Sequence, residues 1–282
     1  MNQASESTIR VPVDPTNPGQ FFACCGLLEV ADRLSSGAEG WFDGACFLIS
    51  TPSRAVSLIE VLSAARAMQL SENGPDPSSD EEDDESDNSE ADKPLTIISP
   101  IQLRLDWWKD KSLKTWAGSM DASRIFVAMC GAIDPNNSDP FNQGRVVFDP
   151  DRSLPDSANQ KKRLKRPNKR EPFYLDARRG ASAQSIDVGF APDSLNLTTT
   201  AYPVVEVFCL IGLQRCRPMP TSTPRIFDYS TWSIPLGSCV IPAAVSGLLT
   251  PMATRMFRFE NAFRTDQRKH KAFTPATCIA RS

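Results

Sequence analysis

The segment 20–34 most constrains the fold, because its apolar residues cover nearly the whole circumference of a helix. One row recurs at the helical period and consists of Phe21, Cys24, Cys25, Leu28 and Ala31. A second row, Phe22, Leu27, Val30 and Leu34, widens the stripe, and only Glu29, Asp32 and Arg33 form a clear polar side. A helix that is apolar all round is normally buried. The pattern therefore predicts a long core helix in which Gly26 lies close to a neighbouring element.

The remaining pattern mixes helices and strands without a regular alternation and without an internal repeat. Helices are predicted at 54–70 with Ser53 as the cap, at 119–132 and at 202–216. Strand-like runs cover 9–13, 41–51, 98–108, 146–148, 173–175, 186–190, 226–234, 239–241, 256–263 and 272–279. This arrangement predicts an α+β fold, with a mixed, largely antiparallel sheet and packed helices.

An acidic stretch divides the charge of the chain into two unequal parts. Residues 72–92 contain eleven of the 34 acidic residues and no basic one, which leaves 23 acidic against 31 basic residues elsewhere. The stretch predicts a disordered linker at 71–94 that interrupts a single domain spanning 1–282. A nucleic-acid mimic or a tether for a basic partner is the functional alternative. The basic remainder is suited to meeting a polyanion.

The chain offers few residues for metal or nucleophilic chemistry. It has eight cysteines without a C-x-x-C pair and a single histidine, His270. We therefore expect no metal and no cofactor, and the scattered thiols favour a reducing, cytoplasmic setting. No signal peptide and no apolar run long enough for a membrane is evident, so no membrane contact is expected. No nucleophile elbow, Walker A loop or dinucleotide-binding glycine motif occurs.

Two sets of residues keep an enzymatic interpretation open. His270 could act as a base, although its charged surroundings are typical of an exposed histidine in a basic hairpin. Four aspartates in turn-like segments could bind magnesium: Asp176, Asp187, Asp193 and Asp228. Their alternative roles are turn formation and pairing with Arg178, Arg179 or Arg225.

Basic residues give the more informative candidates for binding. The run 161–170 carries seven of them, Lys161, Lys162, Arg163, Lys165, Arg166, Lys169 and Arg170, and is either a phosphate contact or a flexible charged loop. Arg178 and Arg179 precede Gly180 and could grip a phosphate with the backbone. Arg215 and Arg217 follow the second apolar helix, where cations also favour the helix dipole. Basic residues alternate with phenylalanines in 252–282. Together they could engage nucleic acid by charge and stacking, or the phenylalanines could form the core side of the strands.

Tryptophans at 107, 108 and 116 form a local aromatic group. A place in the core is the leading interpretation for them, and an anchor at a protein interface is the second.

Seven stretches in consistent order carry a resemblance to a known family. They read VDPTNPGQFFACCGLLEVADRL (13–34), AEGWF (38–42), LRLDWW (103–108), LKTWAG (113–118), PFYLDARRG (172–180), IDVGFAPD (186–193) and IGLQRCRP (211–218). Together they resemble the small protein encoded in type I-G (formerly I-U) CRISPR–Cas loci. The acidic stretch and the basic run 161–170 lie outside this resemblance.

The resemblance implies a cytoplasmic, non-enzymatic subunit or adaptor in antiviral interference. Its partners would be other effector-complex subunits, guide RNA or target DNA, and a helicase–nuclease. In such complexes base pairing reads sequence, while proteins grip backbone and shape. Two alternatives stay open: an endoribonuclease or metal-dependent nuclease acting on CRISPR transcripts, and a stand-alone regulator that uses the acidic segment.

Overall fold

A computed structural model of the chain describes residues 9–71, 93–117, 120–149, 169–179, 200–249, 253–264 and 270–280. Within these ranges the protein is α+β, as predicted, with antiparallel sheets packed on helices. Its buried apolar side chains form one continuous core. The linker predicted at 71–94 lies almost entirely outside the described residues, as do the strand predicted at 186–190 and the aspartates at 187 and 193.

Two helices occupy the centre of this core and confirm the two apolar patterns. In chain order, the numbered helices are α1 (Pro18–Leu34), α2 (Leu58–Arg66), α3 (Ala122–Gly131), α4 (Pro203–Gly212) and α5 (Ile241–Val245). The central pair is α1 and α4. Helix α1 begins at Pro18 because Asn17 caps it, accepting a hydrogen bond from the Gln20 N–H. It is buried continuously from Pro18 to Ala31. All ten residues of α4 are also buried.

Glycines bring α1 and α4 into backbone contact. A Cβ atom added at Gly26 would lie 1.9 Å from the Phe208 carbonyl oxygen, and one at Gly212 would lie 2.0 Å from that of Phe22. Any larger side chain would therefore force the helix axes apart. The predicted close packing at Gly26 is confirmed, and its partner is a glycine nearly two hundred residues away in the chain.

Three antiparallel sheets surround the helix pair. The strands are β1 (Ile9–Pro12), β2 (Glu39–Asp43), β3 (Cys46–Ser50), β4 (Gln69–Leu70), β5 (Leu95–Ser99), β6 (Leu103–Leu105), β7 (Met219–Pro220), β8 (Ile226–Trp232), β9 (Leu236–Gly237), β10 (Ala253–Phe263), β11 (Lys271–Phe273) and β12 (Thr277–Ile279). The first sheet has the order β1-β3-β2-β9, and the third has β4-β5-β6. In the second, β11-β10-β8-β7, β12 also pairs with β10. Pro275 lies between β11 and β12, as expected for a broken edge strand.

Two predicted strands are hairpins instead. The run 41–51 turns at Gly44, whose φ of +59° suits the tight two-residue connection between β2 and β3. The run 98–108 breaks at Pro100 and folds back as β5 and β6. The apolar residues continue across both turns, so the pattern by itself predicts one strand where the structure has two.

Three further boundaries were wrong for local reasons. Helix α2 is capped by Ser57, which forms a capping box with Glu60, so it begins later than predicted. The predicted strand at 239–241 leads into α5, which has Pro242 in its first turn. The predicted strand at 173–175 forms no ladder, and Tyr174 there has a φ of +65°.

The tryptophan group belongs to the core. Trp107, Trp108 and Trp116 are all buried, and their ring centroids lie 5.5–5.8 Å apart in edge-to-face arrangements. The Trp107 indole N–H donates to the Leu210 carbonyl of α4 over 2.9 Å. The leading interpretation of these residues is therefore confirmed.

Candidate functional site

Residues 171–179 cross the core without forming a helix or strand ladder over most of their length. Phe173, Leu175 and Asp176 are completely buried. Irregular backbone in the core must still find hydrogen-bond partners, because an unpaired buried N–H or C=O group is costly. The Glu206 carboxylate accepts from the Leu175 and Asp176 N–H groups at 3.3 and 3.2 Å, and the Thr115 hydroxyl donates to the Phe173 carbonyl. Helix α4 and the loop before α3 thus hold this segment.

Asp176 ties this segment to the start of α1. Its carboxylate accepts from the Asn17 side-chain amide at 2.9 Å and from the Arg178 backbone N–H at 2.9 Å. The Asn17 side-chain oxygen in turn accepts from the Ala177 N–H at 3.1 Å. One asparagine therefore caps α1 and fixes a loop about 160 residues away.

Arg178 uses its guanidinium inside the protein. Two of its N–H groups donate to Asp176 at 3.0 and 2.6 Å, and two more donate to the Asn142 side chain and the Phe141 carbonyl, both at 2.6 Å. The group also stacks on the Tyr202 ring at 3.5 Å. Four of the five N–H groups of the fork are therefore occupied. The structure gives Arg178 the pairing role with Asp176 that the sequence left as the alternative.

Glu206 is the most perturbed carboxyl group in this region. Burial and, to a smaller extent, the nearby Asp176 charge raise its pKa to about 8, against the two backbone N–H bonds and the Arg179 charge. The side chain is completely buried. It is therefore placed to hold backbone and not to meet a substrate.

Arg179 points to a second environment, centred on Tyr174. Two guanidinium groups lie near the Tyr174 ring, with Arg264 at 3.3 Å and Arg179 at 5.5 Å from its centroid. Its hydroxyl donates to the Glu171 carboxylate. Burial and the Glu171 charge raise the Tyr174 pKa to about 12, against the effect of the two arginines. The ring is thus a neutral platform for cations.

Further cations join this environment from the second sheet. Lys271, at the start of β11, donates to the Lys111 and Ser112 carbonyls at 2.8 and 3.2 Å. Arg225, just before β8, lies over the Phe263 ring at 4.8 Å. Phe263 pairs in register with Lys271 and directly precedes Arg264. We call Tyr174 with Arg179, Arg225, Arg264 and Lys271 the Tyr174 cluster.

Positive charge accumulates in the Tyr174 cluster. Partial burial and, to a smaller extent, the charges of Arg225 and Lys114 lower the Lys271 pKa to about 8, while Asp110 acts in the opposite direction. Arg225 lies 3.6 Å from the Glu260 carboxylate, which is longer than a hydrogen bond. All four cations are half-buried. They keep some contact with solvent while losing part of their hydration.

The other predicted basic residues are scattered. Arg170 pairs with the buried Asp149. Arg215 pairs with Glu29 of α1 at 3.3 Å, and Lys169 and Arg217 are exposed. Residues 161–166, with Lys161, Lys162, Arg163, Lys165 and Arg166, lie outside the described residues. Helix α4, about 15 Å long at ten residues, separates Arg215 from the Arg178–Tyr202 contact.

The described candidate aspartates are held by arginines. Asp176 pairs with Arg178, and Asp228 makes two 2.8 Å hydrogen bonds to Arg258. Arg225, expected as a partner for aspartate, lies beside Glu260 instead. His270 is half-buried, and its carbonyl accepts from the Arg264 N–H. Over the described ranges, no group of three or more histidine, cysteine, aspartate or glutamate residues could hold a metal ion.

The sequence indicated Arg264 and Lys271 only as part of the stretch 252–282, and Arg225 only as a partner for aspartate. The alternation of bases with phenylalanines in 252–282 was the available signal for two of them. Nothing local marks Arg225, because it joins the cluster through Phe263 and Glu260 on another strand.

Comparison of the chain with known proteins identifies no relative. In the part of the chain that the structure describes, no helix is long and apolar enough to cross a membrane. No protein-family model, no curated protein and no solved structure matches the chain.

Proposed function

We propose that the chain is a non-enzymatic subunit or adaptor of a type I-G CRISPR interference complex in the cytoplasm. It would contact protein neighbours and guide RNA or target DNA, and a helicase–nuclease is a further candidate partner. The observation that carries the proposal is the meeting, in one core, of the stretches on which the family resemblance rests.

Those contacts are direct and specific. Asn17 of the first stretch binds Asp176 of LDARRG, and a Cβ at Gly19 would meet the Leu175 carbonyl at 2.3 Å. Gly26 and Glu29 face Gly212 and Arg215 of IGLQRCRP. Residues scattered over about 200 positions thus depend on one another for packing. The proposal therefore rests on the stretches as one packed set and not on any single stretch.

The middle stretches join the same core. In LRLDWW, the N–H groups of Asp106 and Trp107 donate to the Gln214 side chain at 3.0 and 3.2 Å. In LKTWAG, the Trp116 ring lies 4.9 Å from that of Phe173. Of the seven stretches, only IDVGFAPD lies wholly outside the described residues.

A binding role also agrees with how the acidic side chains are used. Asp176 and Asp228 are bound by arginines, and Glu206 is sealed in the core by backbone N–H groups. Side chains held in this way serve the fold. The half-buried cations of the Tyr174 cluster are better suited to contact with a partner.

Purification of the tagged chain from its native host tests this proposal. We expect the other effector subunits and CRISPR RNA to be recovered with it, identified by mass spectrometry and RNA sequencing. The same tag on an unrelated protein is the control. Recovery of neither subunits nor RNA would contradict the proposal.

A nuclease assay tests the non-enzymatic part. The purified chain, with and without Mg²⁺, should leave CRISPR transcripts intact, and the His270→Ala variant should behave in the same way. Cleavage by the unchanged protein that is lost in His270→Ala would replace the proposal with an endoribonuclease. Deletion of residues 72–92 should leave recovery of the complex unchanged; its loss would favour the regulator.

A further inference from the structure

The guanidinium groups of the Tyr174 cluster differ from Arg178 in how they are held. The Nε atoms of Arg179, Arg225 and Arg264 are buried and have no hydrogen-bond partner among the described residues. Aromatic faces support these side chains: Tyr174 supports Arg179 and Arg264, and Phe263 supports Arg225. Stacking fixes the plane of a guanidinium and leaves its outer N–H groups to meet an acceptor. For Arg225, the Glu260 carboxylate at 3.6 Å is already one such neighbour.

Backbone strain occurs at two places in the same cluster. Tyr174 and Arg225 both have a φ of +65°, and they are the non-glycine residues with positive φ among the described ones. Side chains other than glycine enter this region at a cost, and such residues concentrate at functional sites. Arg225 lies in the turn between β7 and β8, where a positive φ is common, whereas Tyr174 lies in the irregular segment 171–179.

Like charges are also held together at a cost in stability. Partial burial and the charges of Arg225 and Lys114 lower the Lys271 pKa, against the opposing charge of Asp110. An anionic partner would remove that penalty. Arginine forks match phosphate oxygens geometrically, and a lysine adds a compact charge beside them.

We propose that the Tyr174 cluster binds the phosphodiester backbone of a nucleic acid, with Arg179, Arg225, Arg264 and Lys271 as the phosphate contacts. The choice of nucleic acid over an acidic peptide rests on the proposed function. Because Tyr174 is buried, bases cannot stack on its ring, and recognition is independent of sequence. RNA and DNA share this backbone, so the test must separate them.

Fluorescence anisotropy of labelled oligonucleotides with the full chain provides the test. The probes are single-stranded RNA, single-stranded DNA, duplex DNA and an RNA–DNA hybrid, with polyglutamate as a competitor, over ~50 to ~200 mM KCl. The Arg225→Gln/Lys271→Gln variant removes two cluster charges. Glutamine at 271 keeps an N–H donor on the side of the Lys111 and Ser112 carbonyls, and urea denaturation checks that the variant is folded. The matched control is Arg54→Gln/Arg66→Gln, which removes two exposed charges near and within α2.

We expect the cluster variant to bind its best probe roughly tenfold or more weakly than the unchanged chain. Loss of two phosphate contacts should also make the slope of log K against log salt shallower by about 1.4 for a single strand. The control should stay within about twofold of the unchanged chain. The probe that binds most tightly identifies RNA, DNA or the hybrid as the ligand.

Three results would overturn the site. They are no binding by the unchanged chain at the lowest salt, equal losses in the cluster variant and the control, and polyglutamate binding more tightly than every oligonucleotide at equal charge. If the complex is still recovered from the host, any of these removes the site and leaves the proposed function intact. Binding that depends on the cluster, without recovery of the complex from the host, would support the site and contradict the proposed function.

Discussion

The contact between α1 and α4 and the Tyr174 cluster lie in one core, yet they are built in opposite ways. At the helix contact, two glycines allow backbone to touch backbone, and the surrounding side chains are apolar and buried. In the cluster, three half-buried guanidinium groups lie over two aromatic faces, half-buried Lys271 adds a fourth charge, and two residues have a positive φ. The helix contact is built for close packing. The Tyr174 cluster instead holds charged side chains together and includes residues with an unfavourable backbone conformation.

The difference separates what stabilises this protein from what it offers a partner. Substitutions at the helix contact should lower stability, because close-packed backbone cannot yield. Substitutions in the cluster should be tolerated or stabilising and should cost binding instead, as is common at functional sites. The segment 171–179 connects the regions, since Asp176 faces α1 while Tyr174 faces the cluster.

The largest expected effect is at the helix contact. Gly26→Ala places a methyl group about 1.9 Å from the Phe208 carbonyl oxygen, so α1 and α4 must separate. We expect a loss of about 3 kcal/mol or more in the free energy of unfolding, measured by urea denaturation. Gly131→Ala is the control, because nothing lies within 4 Å of its added Cβ. Similar stability of the two variants would show that the helices do not meet in this way.

A pH dependence of intermediate size is expected from Glu206, which lies between the two regions. Its pKa rises from 4.5 to about 8 on folding, so the folded chain binds this proton more tightly than the unfolded chain does. Its contribution to stability is fully present below pH 4.5 and is lost as the pH rises through about 8. The slope reaches about 1.4 kcal/mol per pH unit.

Glu206→Gln should remove that slope. The variant starts from a lower stability, because glutamine offers one carbonyl oxygen where the carboxyl group accepts from two N–H groups. Urea denaturation across this pH range measures the slope, with the exposed Asp43→Asn as the control. An unchanged slope in Glu206→Gln would assign the pH dependence to another group.

The smallest expected effect is in the cluster and has the opposite sign. The Lys271 pKa falls from 10.5 to about 8 on folding, so stability is reduced at neutral pH and rises as the pH goes from 8 towards 10.5. Lys271→Gln should therefore raise the free energy of unfolding at pH 7 by about 0.5 kcal/mol. Thermal unfolding at pH 7 measures the gain in stability of the variant over the unchanged chain. The same measurement at pH 10 should show that this gain has disappeared. A marked loss of stability would mean that Lys271 serves the fold and would remove the contrast between the regions.

The sequence predicts helices and strands correctly where residues a few positions apart form a regular apolar pattern. The apolar rows of α1 and α4, the alternation in β8 and β10, and the break at Pro275 each depend on neighbours within a few residues. It failed at Gly44 and Pro100, where the apolar run continued through a turn. It also failed at 173–175, because the partners of that backbone are the side chains of Thr115 and Glu206.

The same limit applied to the candidate site. Arg178 and Arg179 are neighbours in the sequence and were predicted as one phosphate grip, yet Arg178 is taken up by Asp176, Asn142 and Phe141 while Arg179 faces Tyr174. Basic and aromatic interleaving indicated the region of Arg264 and Lys271. It could not indicate Arg225, which reaches the cluster from another strand.

By itself, then, the sequence determined that this chain has two buried helices, antiparallel strands and a basic body, because helical period, strand alternation and charge are read from adjacent residues. Only the tertiary structure decided which cations are used up in the core and which gather around Tyr174. That outcome depends on contacts between residues far apart in the chain, and on which acceptors the fold brings to each guanidinium first.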